Sequence, residues 1–180
     1  MTSSERAWRG LLLLCLFFGV GAPPALASEQ SLKLAFVYNF AKFTHWPARS
    51  APGTVGKVTV CVAGDDPDYE TALGSLAGRK LGDYPVLGRN IKRASEVADC
   101  QVVFVPRGDA RFAAEIARSA QSAGVLSVSD DTRFLELGGM IVLVSSESHL
   151  RFDVSQATAL QAGLSLSSQL LKLARHVRME

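Results

Sequence analysis

The sequence predicts a single compact α/β domain: a mostly parallel sheet flanked by helices, with a late antiparallel hairpin and a long C-terminal helix. Three observations carry that fold class. Residues 57–63 (KVTVCVA), 101–106 (QVVFVP) and 125–129 (VLSVS) are short runs of strand length rich in β-branched residues. Longer segments with helical apolar spacing surround them, at residues 32–47, 109–123 and 155–177. Strands that alternate with helices favour parallel neighbours, and two short strands around a polar turn near the end add the hairpin.

The first segment concerns export. Arg6 and Arg9 form a short basic start, residues 11–20 (LLLLCLFFGV) are apolar throughout, and Ala25-Leu26-Ala27 places small residues where a signal peptidase reads. Cleavage is expected after Ala27, giving residues 1–27 as signal and 28–180 as the mature domain. The apolar run falls short of the ~20 residues of a spanning helix, and Pro23-Pro24 closes it. Cys15 follows Leu14 rather than the small residue that lipid modification normally requires. The expected compartment is the bacterial periplasm.

The mature chain opens with LKLAFVYNFAKFTHWP, residues 32–47. Leu32, Ala35, Phe36, Phe40 and Phe43 follow helical spacing, and Leu34, Val37, Tyr38 and Ala41 widen the stripe around most of the circumference. Pro47 disfavours helix at Trp46, so the helix is expected to stop there. Such a helix needs a cover. Val37, Tyr38 and Ala41 are the candidates for contact with a partner or a second protomer, with burial inside the domain as the competing reading. Residues 48–56 read as a loop, residues 57–63 as a strand, and Gly64-Asp65-Asp66-Pro67 as the turn that ends it. A short helix over 69–76, a strand over 84–88 and one helical turn over 94–98 follow. After the strand at 101–106 comes a helix over 109–123, stopped by Gly124. The strand at 125–129 leads through residues 130–137 to a hairpin of residues 140–145 and 149–152. Leu160, Leu164, Leu166, Leu170, Leu171 and Leu173 then define one face of the expected final helix.

Charge and chemistry exclude several functions. Loss of Arg6, Arg9 and Glu5 with the signal lowers the formal charge from +2 to +1, and no long basic run remains, so nothing favours nucleic acid. The Gly64-Asp65-Asp66 turn lacks the glycine spacing and Lys-Ser/Thr ending of a phosphate loop, and it lacks the later glycine and glutamate of a calcium loop. Ser145-Ser146-Glu147-Ser148-His149 lacks a nucleophile elbow and reads as a solvated turn. His45, His149 and His176 are isolated and do not make a zinc site. No catalytic residue, metal ligand or cofactor site is therefore assigned. Cys61 and Cys100 remain in the mature chain; in an oxidising compartment an even pair is a disulfide candidate, against the alternative of two separate buried thiols.

The series LKLAFVYNFAKFTHWP, VTVCVAGDDP, DCQVVFV and LRFDVSQATALQAGLSLSSQLLKLA, in this order, resembles the YfiR/HmsC-like family of periplasmic proteins. That resemblance implies a compact, commonly dimeric regulator rather than a catalyst. In the YfiR branch it implies binding to the periplasmic domain of an inner-membrane diguanylate cyclase, which holds the cyclase off and lowers cyclic di-GMP and biofilm. An outer-membrane lipoprotein that sequesters the regulator is a further implied partner. Cys61 and Cys100 fall where the family places a structural disulfide. Residues 140–152 lack the second cysteine pair of some relatives, and Ser155 stands where Asn is expected. The alternative function is a periplasmic small-molecule sensor or binding module serving another membrane receptor, motivated by the ligand crevice common to open α/β sheets.

Overall fold

Ser28 starts the first helix: its side chain accepts the Ser31 N–H, satisfying one of the free amides of α1 (Glu29–Lys42). The computed structural model describes residues 28–146 and 149–180, so the expected signal, residues 1–27, lies outside the described residues. The apolar helix ends at Lys42, short of the expected Trp46. Phe43 caps it, the Thr44 hydroxyl donates to the Phe40 carbonyl at 2.8 Å, and Thr44–His45 (β1) leaves as a strand. Its partner is the antiparallel pair of residues 165 and 166. Tertiary pairing thus overrides a helical pattern that continues through the segment. The loop after Pro47 contains one helical turn, α2 (Pro52–Val55), closed by Gly56 in the left-handed conformation.

The buried strand β2 (Val58–Ala63) follows, then α3 (Pro67–Leu73), capped by the Asp66 carboxylate, and a 3₁₀ turn, Gly74–Leu76. A short hairpin comes next: β3 (Lys80–Leu81) turns into β4 (Tyr84–Ile91), which is longer than the expected strand because β2 pairs with it as far as Ile91. A 3₁₀ turn (Ala94–Asp99) leads to β5 (Val102–Val105). Asp109 caps α4 (Ala110–Ala123) through the Arg111 and Phe112 amides, and Gly124 closes it at φ 69°, as the sequence predicts. After β6 (Leu126–Ser129), β7 (Ile141–Ser146) and β8 (His149–Ser155) form the expected late hairpin.

The expected long C-terminal helix is not present. Residues 155–177 instead form α5 (Gln156–Gln161), β9 (Ser165–Leu166), α6 (Ser168–Leu173) and the start of β10 (His176–Arg178). Gly163 at φ 79° ends the first turn of chain, the Ser167 N–H reaches the Phe43 carbonyl at 2.9 Å, and the Ser167 side chain caps α6. Leu164, Leu166 and Leu170 are buried by this path, whereas Leu160 and Leu173 are exposed.

Among the described residues the main sheet has eight strands in the order β10-β8-β7-β6-β5-β2-β4-β3. Strands β4, β2, β5, β6 and β7 are parallel neighbours; β8 is antiparallel to β7, and β3 to β4. The sheet separates two cores. Val60, Val62, Phe104 and Leu126 lie in the core that includes α1 and α3, while Val103, Val105 and Ile116 lie in the one that includes α4. Alternation along β2 and β5 is the cause: successive side chains enter opposite layers, and each large one buried contributes roughly 1.5–3 kcal/mol.

Candidate functional site: the two edges of the parallel sheet

The chain runs from β2 to β4 on one side and then returns to place β5 on the other. The strand order therefore reverses between β2 and β5, and the crevice outside their carboxyl ends is where open α/β sheets commonly bind ligands. The cleft observed at the carboxyl edge, of about 390 Å³, lies further along, outside β6 and β7, and is lined by Glu29, Lys33, Arg107, Asp130, Thr132 and Ser145.

Lys33 organises the cleft. Helix α1 buries it to 8% exposure, and its ammonium reaches Asp130 Oδ2 at 2.6 Å and Glu29 Oε1 at 2.7 Å. Burial alone would lower its pKa, but hydrogen bonds to Asp130 and Glu29 hold the ammonium well above the ordinary range. Asp130 also accepts the Arg107 backbone N–H at 2.7 Å, while the Arg107 guanidinium donates to the Asp130 carbonyl at 3.0 Å. Tyr69 packs against Phe104 beneath them; burial and then the Asp130 charge push its hydroxyl up to about 12. Beside the cleft, Asp131 is buried and held below the usual carboxylate range, first by its hydrogen bond from Arg133. These fixed cations and carboxylates offer recognition by charge and hydrogen bonding.

The amino edge is built differently. Trp46 Nε1 donates to the Gln101 carbonyl at 3.0 Å, Gln101 Oε1 accepts the Thr59 N–H at 2.7 Å, and the Ser50 hydroxyl donates to the Gly124 carbonyl at 2.9 Å. This buried polar seam ties the chain after Pro47 to β2, β5 and the end of α4. Outside it lies a wider groove of about 890 Å³, lined in part by Arg49, Lys57, Leu87, Arg89 and Asp99.

The expected cysteine pair is joined. Cys61 and Cys100 form a disulfide with Cα atoms 6.0 Å apart, inside the core under α4. Adjacent parallel strands β2 and β5 explain its geometry, since Cys61 lies opposite Val103. Val37, Tyr38 and Ala41, by contrast, are buried in the chain's own core and present no free face of α1. Tyr38 donates its hydroxyl to the Lys80 carbonyl at 2.7 Å, and Lys42 and Arg79 stack on its ring. The large exposed apolar side chains include Leu32, Leu87, Leu160 and Leu173.

Asp65 and Asp66 occupy a turn, with Asp66 capping α3 and Asp65 3.5 Å from Lys92. His176 lies beside Asp153, which burial would raise but which hydrogen bonds from Arg175 and His176 hold low. Residues 147 and 148 of the Ser-rich turn lie outside the described residues. Among the described residues, no group of three or more His, Cys, Asp or Glu is placed to hold a metal, and no helix is long and apolar enough to cross a membrane. The Lys33–Asp130 pair is absent from the sequence-based assignment. Its available signal was a lysine inside an otherwise apolar helix, a position that calls for a buried carboxylate.

A family model described as YfiR/HmsC-like matches residues 30–175. Among solved structures, the chain is similar to a conserved domain protein of Vibrio cholerae, with a TM-score of 0.56 and 10% identity over 84% of this chain and 60% of that one. It is also similar to the ABC domain of Streptococcus pneumonia in complex with L-Trp, with a TM-score of 0.49 and 15% identity over 69% of this chain and 56% of that one. The chain thus spans about three fifths of the length of these proteins. The first likeness is one of fold alone, and the second is too distant to bear on it. Because the family model covers most of the chain, from α1 to the residue before β10, the protein belongs to the YfiR/HmsC-like family.

Proposed function

We propose that this protein is exported by cleavage after Ala27 and acts in the periplasm, as a homodimer, to inhibit an inner-membrane diguanylate cyclase. It does so by binding the periplasmic domain of the cyclase, lowering cyclic di-GMP and biofilm formation; an outer-membrane lipoprotein that captures the regulator would relieve the inhibition. The family match over residues 30–175 is the observation that carries this reading. A structural disulfide fits an oxidising compartment. Deleting the gene should raise cyclic di-GMP and surface attachment, and expression of the exported protein should restore both. Unchanged cyclic di-GMP in cells with an active cyclase partner would remove the assignment.

A small-molecule sensor is the second reading, favoured by the charged cleft at the carboxyl edge of the sheet, outside β6 and β7. Native mass spectrometry of periplasmic protein separates the two: a ligand-sized mass increment favours the sensor, and its loss in a Lys33→Met variant would place the ligand in this cleft.

A further inference from the structure

The sheet ends on an open strand. On its inner side β4 pairs with β2 from Val86 to Ile91. On its outer side β3 covers only Tyr84 and Pro85, and the Val86 N–H reaches the Arg79 carbonyl at 3.0 Å. No strand among the described residues pairs with the outer edge beyond that point. Backbone groups alternate sides along a strand, so the outward Val86 N–H places those of Gly88 and Asn90 outward as well. Leu87, at 47% exposure, stands between them. An uncovered edge of this kind is a template for another strand.

Two grooves flank the edge, one on each face. The 890 Å³ groove lies on the α4 side and includes Leu87 and Arg89 in its wall. A second, of about 540 Å³, lies on the α3 side and is walled by Leu73, Val86, Gly88 and Asn90. A strand added along β4 would send alternate side chains into the two grooves, the geometry by which strand addition combines backbone pairing with side-chain selection.

Charge selects the occupant. Residues 79–93 carry five cations (Arg79, Lys80, Arg89, Lys92 and Arg93) and one carboxylate, Asp83, in a chain whose formal charge is only +2. Arg89 and Lys92 each have one nearby carboxylate, at 3.6 and 3.5 Å, on exposed pairs that exchange readily, while Arg93 is held by two hydrogen bonds to Glu96. Lys57 and Arg49 add positive charge to the larger groove, outnumbering its Asp99, while Glu70 is the carboxylate of the smaller one. A second copy would present the same positive edge to itself, and its own β3 would limit antiparallel β4–β4 pairing to a few residues.

We propose that the outer edge of β4 binds an extended acidic segment of another protein by strand addition. The proposal rests on reading this chain as a regulator that works by protein contact, and it assigns the surface through which one such contact is made. The probes are fluorescein-labelled heptapeptides added to the oxidised protein purified from the periplasm and followed by anisotropy. An EVTVEVE peptide should bind saturably. Its KVTVKVK counterpart and an EVTVEVE peptide N-methylated at every residue should each bind at least ~10-fold more weakly, the scale set by losing two backbone hydrogen bonds. Asn90→Pro, which removes one outward N–H and leaves the β2 ladder intact, should weaken EVTVEVE by about 5-fold, the loss of one such bond. Should that variant fold poorly, the Lys57→Glu/Arg89→Glu pair provides the same loss, and the Gly88 and Asn90 amides of the unaltered protein should gain exchange protection when EVTVEVE is added.

Equal binding of the N-methylated peptide, or no binding of EVTVEVE, overturns the proposal. So does protection of Gly88 and Asn90 that grows with protein concentration alone, because a second copy then occupies the edge. If peptides fail to bind while deletion raises cyclic di-GMP, only the edge assignment falls; if peptides bind while deletion changes nothing, only the cyclase reading falls.

Discussion

Lys33 shows how one residue can combine a core position with a charged one. Its stem lies in an apolar helix while its ammonium joins Glu29 and Asp130 at the carboxyl edge of the sheet. Removing one partner of a largely buried pair leaves the other charge without compensation, and that loss outweighs what the intact pair contributes to stability. Lys33→Met should therefore destabilise the protein by about 3 kcal/mol in urea unfolding at pH 7. Adding Asp130→Asn should recover part of this, since the double variant leaves no unmatched buried charge, the Glu29 carboxylate being exposed to water. The pH dependence follows from the raised folded-state pKa of the lysine. Its stabilising contribution is complete below the unfolded value of about 10.4 and is lost as the pH rises through the higher folded value. Little of this pair was legible in the sequence: nothing local links Lys33 to Asp130, which meet only because α1 packs across the end of β6.

At the scale of elements, Gly124 closes α4 where three separate segments converge. Its φ is 69°, and a Cβ there would lie 2.8 Å from Pro47 Cγ and 3.2 Å from the Ala162 carbonyl. Gly124→Ala should cost about 2–3 kcal/mol, combining left-handed strain with backbone crowding. Gly56→Ala, at φ 77° in open space, should cost only about 1 kcal/mol; the two midpoints in urea measure the difference. The helix that Gly124 ends was readable from its apolar spacing as residues 109–123; in the structure Asp109 is its cap, and Ile116 and Ala120 lie on the buried face. So were the central strands, whose β-branched runs meet no competing pattern. The C-terminal segment was not, because its leucines satisfy helical spacing while Gly163 and the Ser165–Ser168 run interrupt it. In physical terms, the β1–β9 and β8–β10 pairings decide the path, and both partners are remote in sequence. The open edge of β4 was likewise hidden, since an unpaired strand side is a property of the assembled sheet.

For the whole molecule, the Cys61–Cys100 bridge joins β2 to the residue between the second 3₁₀ turn and β5, and closes a loop containing α3, β3 and β4. On the chain-entropy model a loop of this size is worth about 4 kcal/mol. A Cys61→Ala/Cys100→Ala variant should fold to the same sheet by circular dichroism and lose about that much stability in urea. The residues that diverge from a plain α/β layout, the charged carboxyl edge and the basic open strand, are the ones through which this member is expected to be recognised.

The small ladder between Thr44–His45 and Ser165–Leu166 has a consequence for the order of folding. The turn after the first helix is fixed by residues from the far end of the chain, with the Ser167 amide closing on the Phe43 carbonyl. Contacts so distant in sequence form late and slow the search for the native state. A chain that emerges N-terminus first cannot close the turn after its opening helix until almost all of it has arrived.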